Sequence, residues 1–111
     1  MVKRAIFHPA ALQTIRGFPV HVKRALGEAI LRLQHGATLT MPLSRPMPSV
    51  APGVAELRIK DSSGAYRAFY ITRVGQTILI PHAFMKKSSA TPARDIALGR
   101  RRLKELLDEA C

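Results

Sequence analysis

Acidic residues are scarce in this chain. Seven Asp and Glu stand against eighteen Lys and Arg, a net charge of +11 over 111 residues. Cysteine is nearly absent: Cys111 is the only one and the last residue, so neither an internal disulfide nor a cysteine-based metal site can form. Tryptophan is missing and aromatics are 5% of the residues, which leaves no strong anchor for a membrane interface. No apolar run approaches the ~18–20 residues that cross a bilayer, and residues 1–16 hold no signal-peptide core. A reducing, cytoplasmic setting is therefore expected, with no membrane role. The length suits one domain over 1–111 and excludes a TIM barrel or a full dinucleotide fold.

Several chemistries also lack their parts. There is no Gly-rich phosphate loop ending in Lys-Ser or Lys-Thr, and no His-Glu-x-x-His. The few carboxylates are scattered, so a two-metal nuclease is not expected, nor is any metal or cofactor. No nucleophile elbow appears.

What the chain has is distributed positive charge. Basic groups run through the regular segments instead of collecting in a tail, and twelve of the eighteen are Arg. That exceeds the net charge of ~2–8 that solubility needs, and favours a polyanion or an acidic protein as partner.

The apolar pattern predicts an α+β fold. Residues 4–7 read as a short edge strand and 10–16 as a helix opened by Pro9. Val22, Leu26, Ala29, Ile30 and Leu33 recur at helical spacing, predicting a helix over 19–35 closed by Gly36. Gly27 either weakens that helix or admits a close neighbour. Residues 41–53 carry four prolines and read as an extended loop. Residues 54–60 alternate: Ala55, Leu57 and Ile59 on one face, Glu56, Arg58 and Lys60 on the other. A turn at 61–64 leads into a second strand, 66–73, and a third strand is expected at 77–81, limited by Pro81. A polar loop at 88–91 precedes a helix over 92–110, with Thr91 as its cap and Asp95 in its first turn. The sum is a small antiparallel meander covered by two N-terminal helices, with a C-terminal helix.

The hairpin holds the sharpest set of groups. Arg58 and Lys60 share a strand face, and Arg67 follows the turn. Paired across two strands, such groups can grip one phosphate, and a planar guanidinium donates two parallel bonds to its oxygens. A solvent-facing charged strand shows the same spacing, and register decides which face Arg67 takes. His82 can move a proton or simply bond within a core. Tyr66 and Tyr70 can stack on bases or fill the core. Lys86 and Lys87 can hold a phosphate backbone. Metal-free RNA cleavage needs no more than this, because the 2′-OH attacks its own phosphodiester while cations stabilise the charge on phosphorus.

The ordered strings Gly53-Val54-Ala55-Glu56-Leu57-Arg58-Ile59-Lys60, Gly64-Ala65-Tyr66-Arg67, Tyr70, His82-Ala83-Phe84-Met85-Lys86-Lys87-Ser88 and Thr91-Pro92 resemble the HigB-like branch of the RelE/ParE toxin superfamily. The resemblance runs from about Ile15 to Leu106. It implies a RelE-like fold and the toxin of a type II toxin–antitoxin module, a ribosome-dependent mRNA endoribonuclease that inhibits translation. It implies a HigA-like helix-turn-helix antitoxin as partner, the ribosome and mRNA as targets, and operator DNA reached through the antitoxin. On these residues it implies catalytic roles for Arg58, Lys60, Arg67 and His82. Tyr66, Tyr70, Phe84, Lys86, Lys87 and Arg102 take RNA- or ribosome-binding roles. Ile80-Pro81 and Gly99 depart from the usual pattern, and Gly99 is expected to loosen the last helix by about 1 kcal/mol. A ParE-like gyrase inhibitor and a non-catalytic nucleic-acid binder stay open as alternatives.

Overall fold

The computed structural model describes residues 2–87 and 90–110. Ser88 and Ser89, part of the expected polar loop, and Cys111 lie outside the described residues. The elements run β1 (Arg4–Phe7), α1 (Pro9–Arg16), α2 (Val20–Gln34), β2 (Ser44–Pro46), β3 (Ala55–Asp61), β4 (Gly64–Val74), β5 (Thr77–Lys86) and α3 (Ala93–Ala110). They form a five-stranded sheet in the order β1-β5-β4-β3-β2. The expected meander is its antiparallel centre. The sheet as a whole is mixed, because β1 pairs parallel with β5.

The helices end where local chemistry says they should. Pro9 has no N–H to lose at the first helical position, and His8 Nδ1 accepts from Ala10 N at 3.1 Å. At the end of α2, Gly36 N donates to Leu33 O and Ala37 N to Arg32 O, the paired bonds of a Schellman closure. Gly36 takes the φ of +89° that this closure asks for. Gly27 is exposed, and a Cβ there would meet nothing within 4 Å, so it admits no close neighbour.

Each face of the sheet buries its own core. Val22, Leu26, Ile30 and Leu33 of α2, with Phe18 from the link before it, pack on Leu57, Tyr66, Ala68, Ile78 and Ile80. On the opposite face, Leu103 and Leu106 of α3 join Phe69, Ile71, Leu79 and Phe84. Met47, Val50 and Val54 complete that second core. The proline-rich stretch is therefore more than an extended loop. It contributes the edge strand β2, then turns and packs inward, and Arg100 Nε of α3 donates to Ser49 O at 2.8 Å.

The largest correction concerns β5, which runs ten residues, to Lys86, through the proline expected to end it. Phe69 pairs with His82, while Ile71 pairs with Leu79. One β4 residue thus faces two on β5, Ile80 and Pro81, a bulge that accommodates a residue with no N–H to give the ladder. The extra residue also resets the alternation. Ile80 and Ala83, three apart, both belong to the N-terminal-helix core. His82 and Phe84 consequently turn to the α3 face.

Gly99 has the opposite effect to the expected loosening. A Cβ there would lie 2.7 and 2.8 Å from the Phe69 ring, which is fully buried, and 3.3 Å from Val50. The glycine is what lets α3 rest directly on the sheet. Gly99→Ala is expected to lower stability by about 1–2 kcal/mol, because overpacking outweighs the ~1 kcal/mol gained in helix propensity. A urea midpoint unchanged or raised in this variant would show that the ring steps aside.

Candidate functional site

Register builds a compact grid of side chains on the α3 face. Arg58 lies directly across from Arg67, which lies across from Phe84. One row along, Arg45, Glu56, Phe69 and His82 align across β2, β3, β4 and β5. On the other side of the arginine row, Lys60, Ala65 and Lys86 align. Directly opposed side chains have Cβ atoms ~4.5–5.5 Å apart, so the arginine pair is within reach of a single phosphate. A cleft of about 370 Å³ opens beside it, lined by Pro42, Leu43, Arg58, Lys60 and Arg67.

Two like charges directly opposed across strands repel. Glu56 offsets this. Its carboxylate is 0% exposed, with Oε1 3.4 Å from Arg67 Nε and 3.9 Å from Arg58 Nε. Its other oxygen accepts from Thr91 Oγ1 at 3.2 Å. One carboxylate cannot neutralise Arg45, Arg58, Arg67 and Lys86, so the patch keeps an excess of three positive charges. Arg67 is 7% exposed, and its Nη1 donates to Tyr66 O at 3.1 Å. Burial pushes its guanidinium below the ordinary value, Glu56 opposes this, and Arg58 and Arg45 add to the lowering. Lys86 is equally buried, and its ammonium is held below the usual lysine range by burial first and then by Arg67. Both cations are thus held at a cost that a bound anion would relieve.

His82 is 4% exposed and fully engaged. Arg102 Nη1 lies 2.8 Å from Nδ1 and can only donate, so Nδ1 accepts. The ring proton therefore sits on Nε2 and is donated to Asp95 Oδ1 at 2.8 Å. The ring stacks on Phe84 at 5.3 Å between centroids. His82 thereby clasps α3 to the sheet through two of that helix's side chains. Burial holds its pKa below the usual imidazole value; Asp95 opposes this, and Arg102 and Arg94 reinforce it.

Of the residues singled out in the sequence, Arg58, Lys60, Arg67, His82, Phe84 and Lys86 share this face. Arg102 reaches it from α3, and Lys87 is exposed just beyond β5. Tyr66 and Tyr70 lie on the other face. Tyr66 packs on Phe18 at 4.8 Å between centroids and its hydroxyl meets Ser63 at 2.6 Å, while Tyr70 bonds Ser44. Their placement is a core placement, outside the cationic patch. Sequence reasoning assigned no site role to Arg45, Glu56 or Thr91; Thr91, expected as the cap of the last helix, donates its hydroxyl to Glu56. The available signal was a lone acid at the start of an otherwise basic strand face. A larger hollow of about 710 Å³, bordered by Leu39, Met41, Ser44, Val54 and Tyr70 among others, has no charged lining. No group of three or more His, Cys, Asp or Glu that could hold a metal ion occurs among the described residues, and no helix among them is long and apolar enough to cross a membrane.

The fold has solved counterparts. The chain superposes on a double-mutant form of the E. coli toxin RelE in the free state with a TM-score of 0.60 at 16% identity, covering 93% of this chain and 99% of that one. The isolated E. coli RelE toxin gives a TM-score of 0.56 at 15% identity, covering 98% and 99%. At such identities the likeness establishes a RelE-like architecture. No curated protein matches the chain. The family model described as "Phage derived protein Gp49-like (DUF891)" matches residues 13–104. Strands β2 to β5 with their bulge, the basic grid and most of α3 fall within that span, and the chain belongs to the phage-derived Gp49-like family.

Proposed function

We propose that this protein is a toxin of the HigB-like kind that cleaves mRNA on the ribosome without a metal ion. The observation that carries this reading is the directly opposed Arg58–Arg67 pair, Arg67 buried and Arg58 half-buried, with a net excess of positive charge beside an open cleft. A folded chain retains such a pair at a cost in stability, and a phosphate is the anion whose geometry suits two guanidinium forks at once.

In this reading the scissile phosphate sits between Arg58 and Arg67, with Lys60 and Lys86 on the next row. The 2′-oxygen of the upstream nucleotide forms a bond to phosphorus and the bond to the 5′-oxygen breaks. The products are a 2′,3′-cyclic phosphate and a free 5′-hydroxyl. The two arginines stabilise the extra negative charge on the phosphorane. A proton leaves the 2′-OH and another reaches the departing 5′-oxygen. Lys86, with its depressed pKa, and Lys60, exposed at the mouth, are the groups nearest that task. DNA lacks the 2′-OH and is not a substrate. Phe84, Lys87 and Arg102 border the path of the flanking RNA. An acidic antitoxin of the HigA type would neutralise the patch, in a complex weakened by salt.

The test is to map mRNA 5′ ends after brief induction, with wild type and with Arg67→Ala. New ends within translated codons, absent in the variant, are the expected result. Double-strand DNA breaks in their place would indicate gyrase poisoning. Growth arrest with neither would indicate binding without cleavage.

A further inference from the structure

Glu56 is the one acid of the grid, and a cleavage site does not obviously call for an acid there. It is fully buried, yet Oε1 has no hydrogen-bond partner, and neither has the Nε of Arg58 or of Arg67. These three unsatisfied atoms face one another at 3.4 and 3.9 Å. A carboxylate shut away from water beside two cations acts on little else. Arg45 from β2, Lys86 from β5 and Thr91 ahead of α3 complete its surroundings.

We infer that Glu56 is a positioning residue: its buried carboxylate draws the Nε edges of Arg58 and Arg67 to one point between them, and through Thr91 it ties that arrangement to the segment leading into α3. This rests on the proposed cleavage site and adds to it the group that orients the two arginines. A guanidinium held at its Nε has the plane of its fork fixed, and with it the directions of its terminal N–H groups. Two long side chains, each rich in rotamers, are thereby restricted before RNA arrives, which is where preorganisation gains its effect. The near-contact distances fit a site that tightens when phosphate draws both forks together.

A carboxylate that merely damped positive charge would behave differently. Its removal would tighten RNA binding and leave the rate constant unchanged or raised. A positioning carboxylate, once neutralised, leaves binding equal or slightly tighter while the rate constant falls.

The experiment compares wild type with Glu56→Gln, which keeps the shape and removes the charge, and with Thr91→Val, which removes only the hydroxyl donor. Binding of a non-cleavable 2′-O-methyl oligoribonucleotide is measured across salt, single-turnover cleavage on mRNA-programmed ribosomes gives the rate, and the Nε–Hε NMR signals of Arg58 and Arg67 report the contact itself. Glu56→Gln is expected to shift both arginine signals, keep the salt slope, and lower the cleavage rate about 10–100-fold, the size found for residues that orient a reacting group. Thr91→Val is expected to lower the rate about three- to tenfold. Unmoved arginine signals, or a rate unchanged in both variants, would overturn the inference. If Glu56→Gln fails to fold, Thr91→Val carries the same readouts. If wild type cleaves nothing, the proposed function fails, and the NMR signals still decide whether Glu56 holds the arginines.

Discussion

Arg67→Ala is expected to reduce mRNA cleavage by about 10²–10³-fold, the loss usual when one preorganised donor to a developing oxyanion is removed. Arg58→Ala should act in the same direction. The physical reason is the direct cross-strand pairing of the two residues, which in the proposed reading lets both forks reach one phosphate. Each single variant should stay folded, with stability changed by no more than about 1 kcal/mol. Removing one cation relieves like-charge repulsion and leaves the other beside Glu56. The double variant is different. It strands a fully buried carboxylate without either arginine, and should lose about 3 kcal/mol or more. Arg67→Lys should not restore the rate, since an ammonium cannot reproduce the planar two-point contact. Urea unfolding read beside single-turnover cleavage checks both halves. Full toxicity in both single variants would remove the site assignment altogether.

His82→Ala is expected to cost about 2–3 kcal/mol of stability, through a cavity beside Phe69 and Phe84 and the loss of both α3 contacts. Cleavage by the folded fraction should fall less than about tenfold, because a ring with both nitrogens engaged is not free to carry a proton. A variant that is fully stable yet inactive would instead assign His82 to the chemistry. The same clasp predicts a pH dependence. The folded state holds the imidazole pKa below its ordinary 6.5, so the unfolded chain binds the proton more readily. The contribution of His82 is then fully present above about pH 6.5 and is lost progressively as pH falls below it. Urea midpoints at pH 7.5 and 5.5 should separate in wild type and converge in His82→Ala. Equal slopes in the two proteins would exclude the clasp as their source.

Much of this architecture was legible in the residues. The helical spacing of Val22, Leu26, Ala29, Ile30 and Leu33 marked the cover of one sheet face, and all five are buried there. The alternation over 55–60 sorted Leu57 from Arg58 correctly, because strand side chains have a period of two and one face is apolar. Those patterns are local, and each can be read without knowing what the segment packs against. Register is not local. That Arg67 sits across from Arg58, and not one place along, follows from the Asp61–Gly64 turn, where Asp61 Oδ1 accepts from Ser63 N and Gly64 N.

The proline at 81 taught the opposite lesson. From composition it ended a strand. In the sheet it sits at a bulge, and that single extra residue turns His82, Phe84 and Lys86 toward the arginines. Gly99 looked like a weak point of a helix until the Phe69 ring was found against it. For Tyr66 and Tyr70 the sequence left base stacking and core packing both open, and the structure buries both side chains in the other core.

Composition and short-range periodicity were enough to establish a small, strongly basic α+β chain with Arg58 and Arg67 on one hairpin, because charge count and side-chain period are properties of neighbouring residues. Which cations converge, which acid lies buried among them, and how α3 is latched through His82 depended on contacts between residues far apart in the chain. No local pattern encodes those contacts, since they exist only once register, bulge and helix packing have been satisfied together.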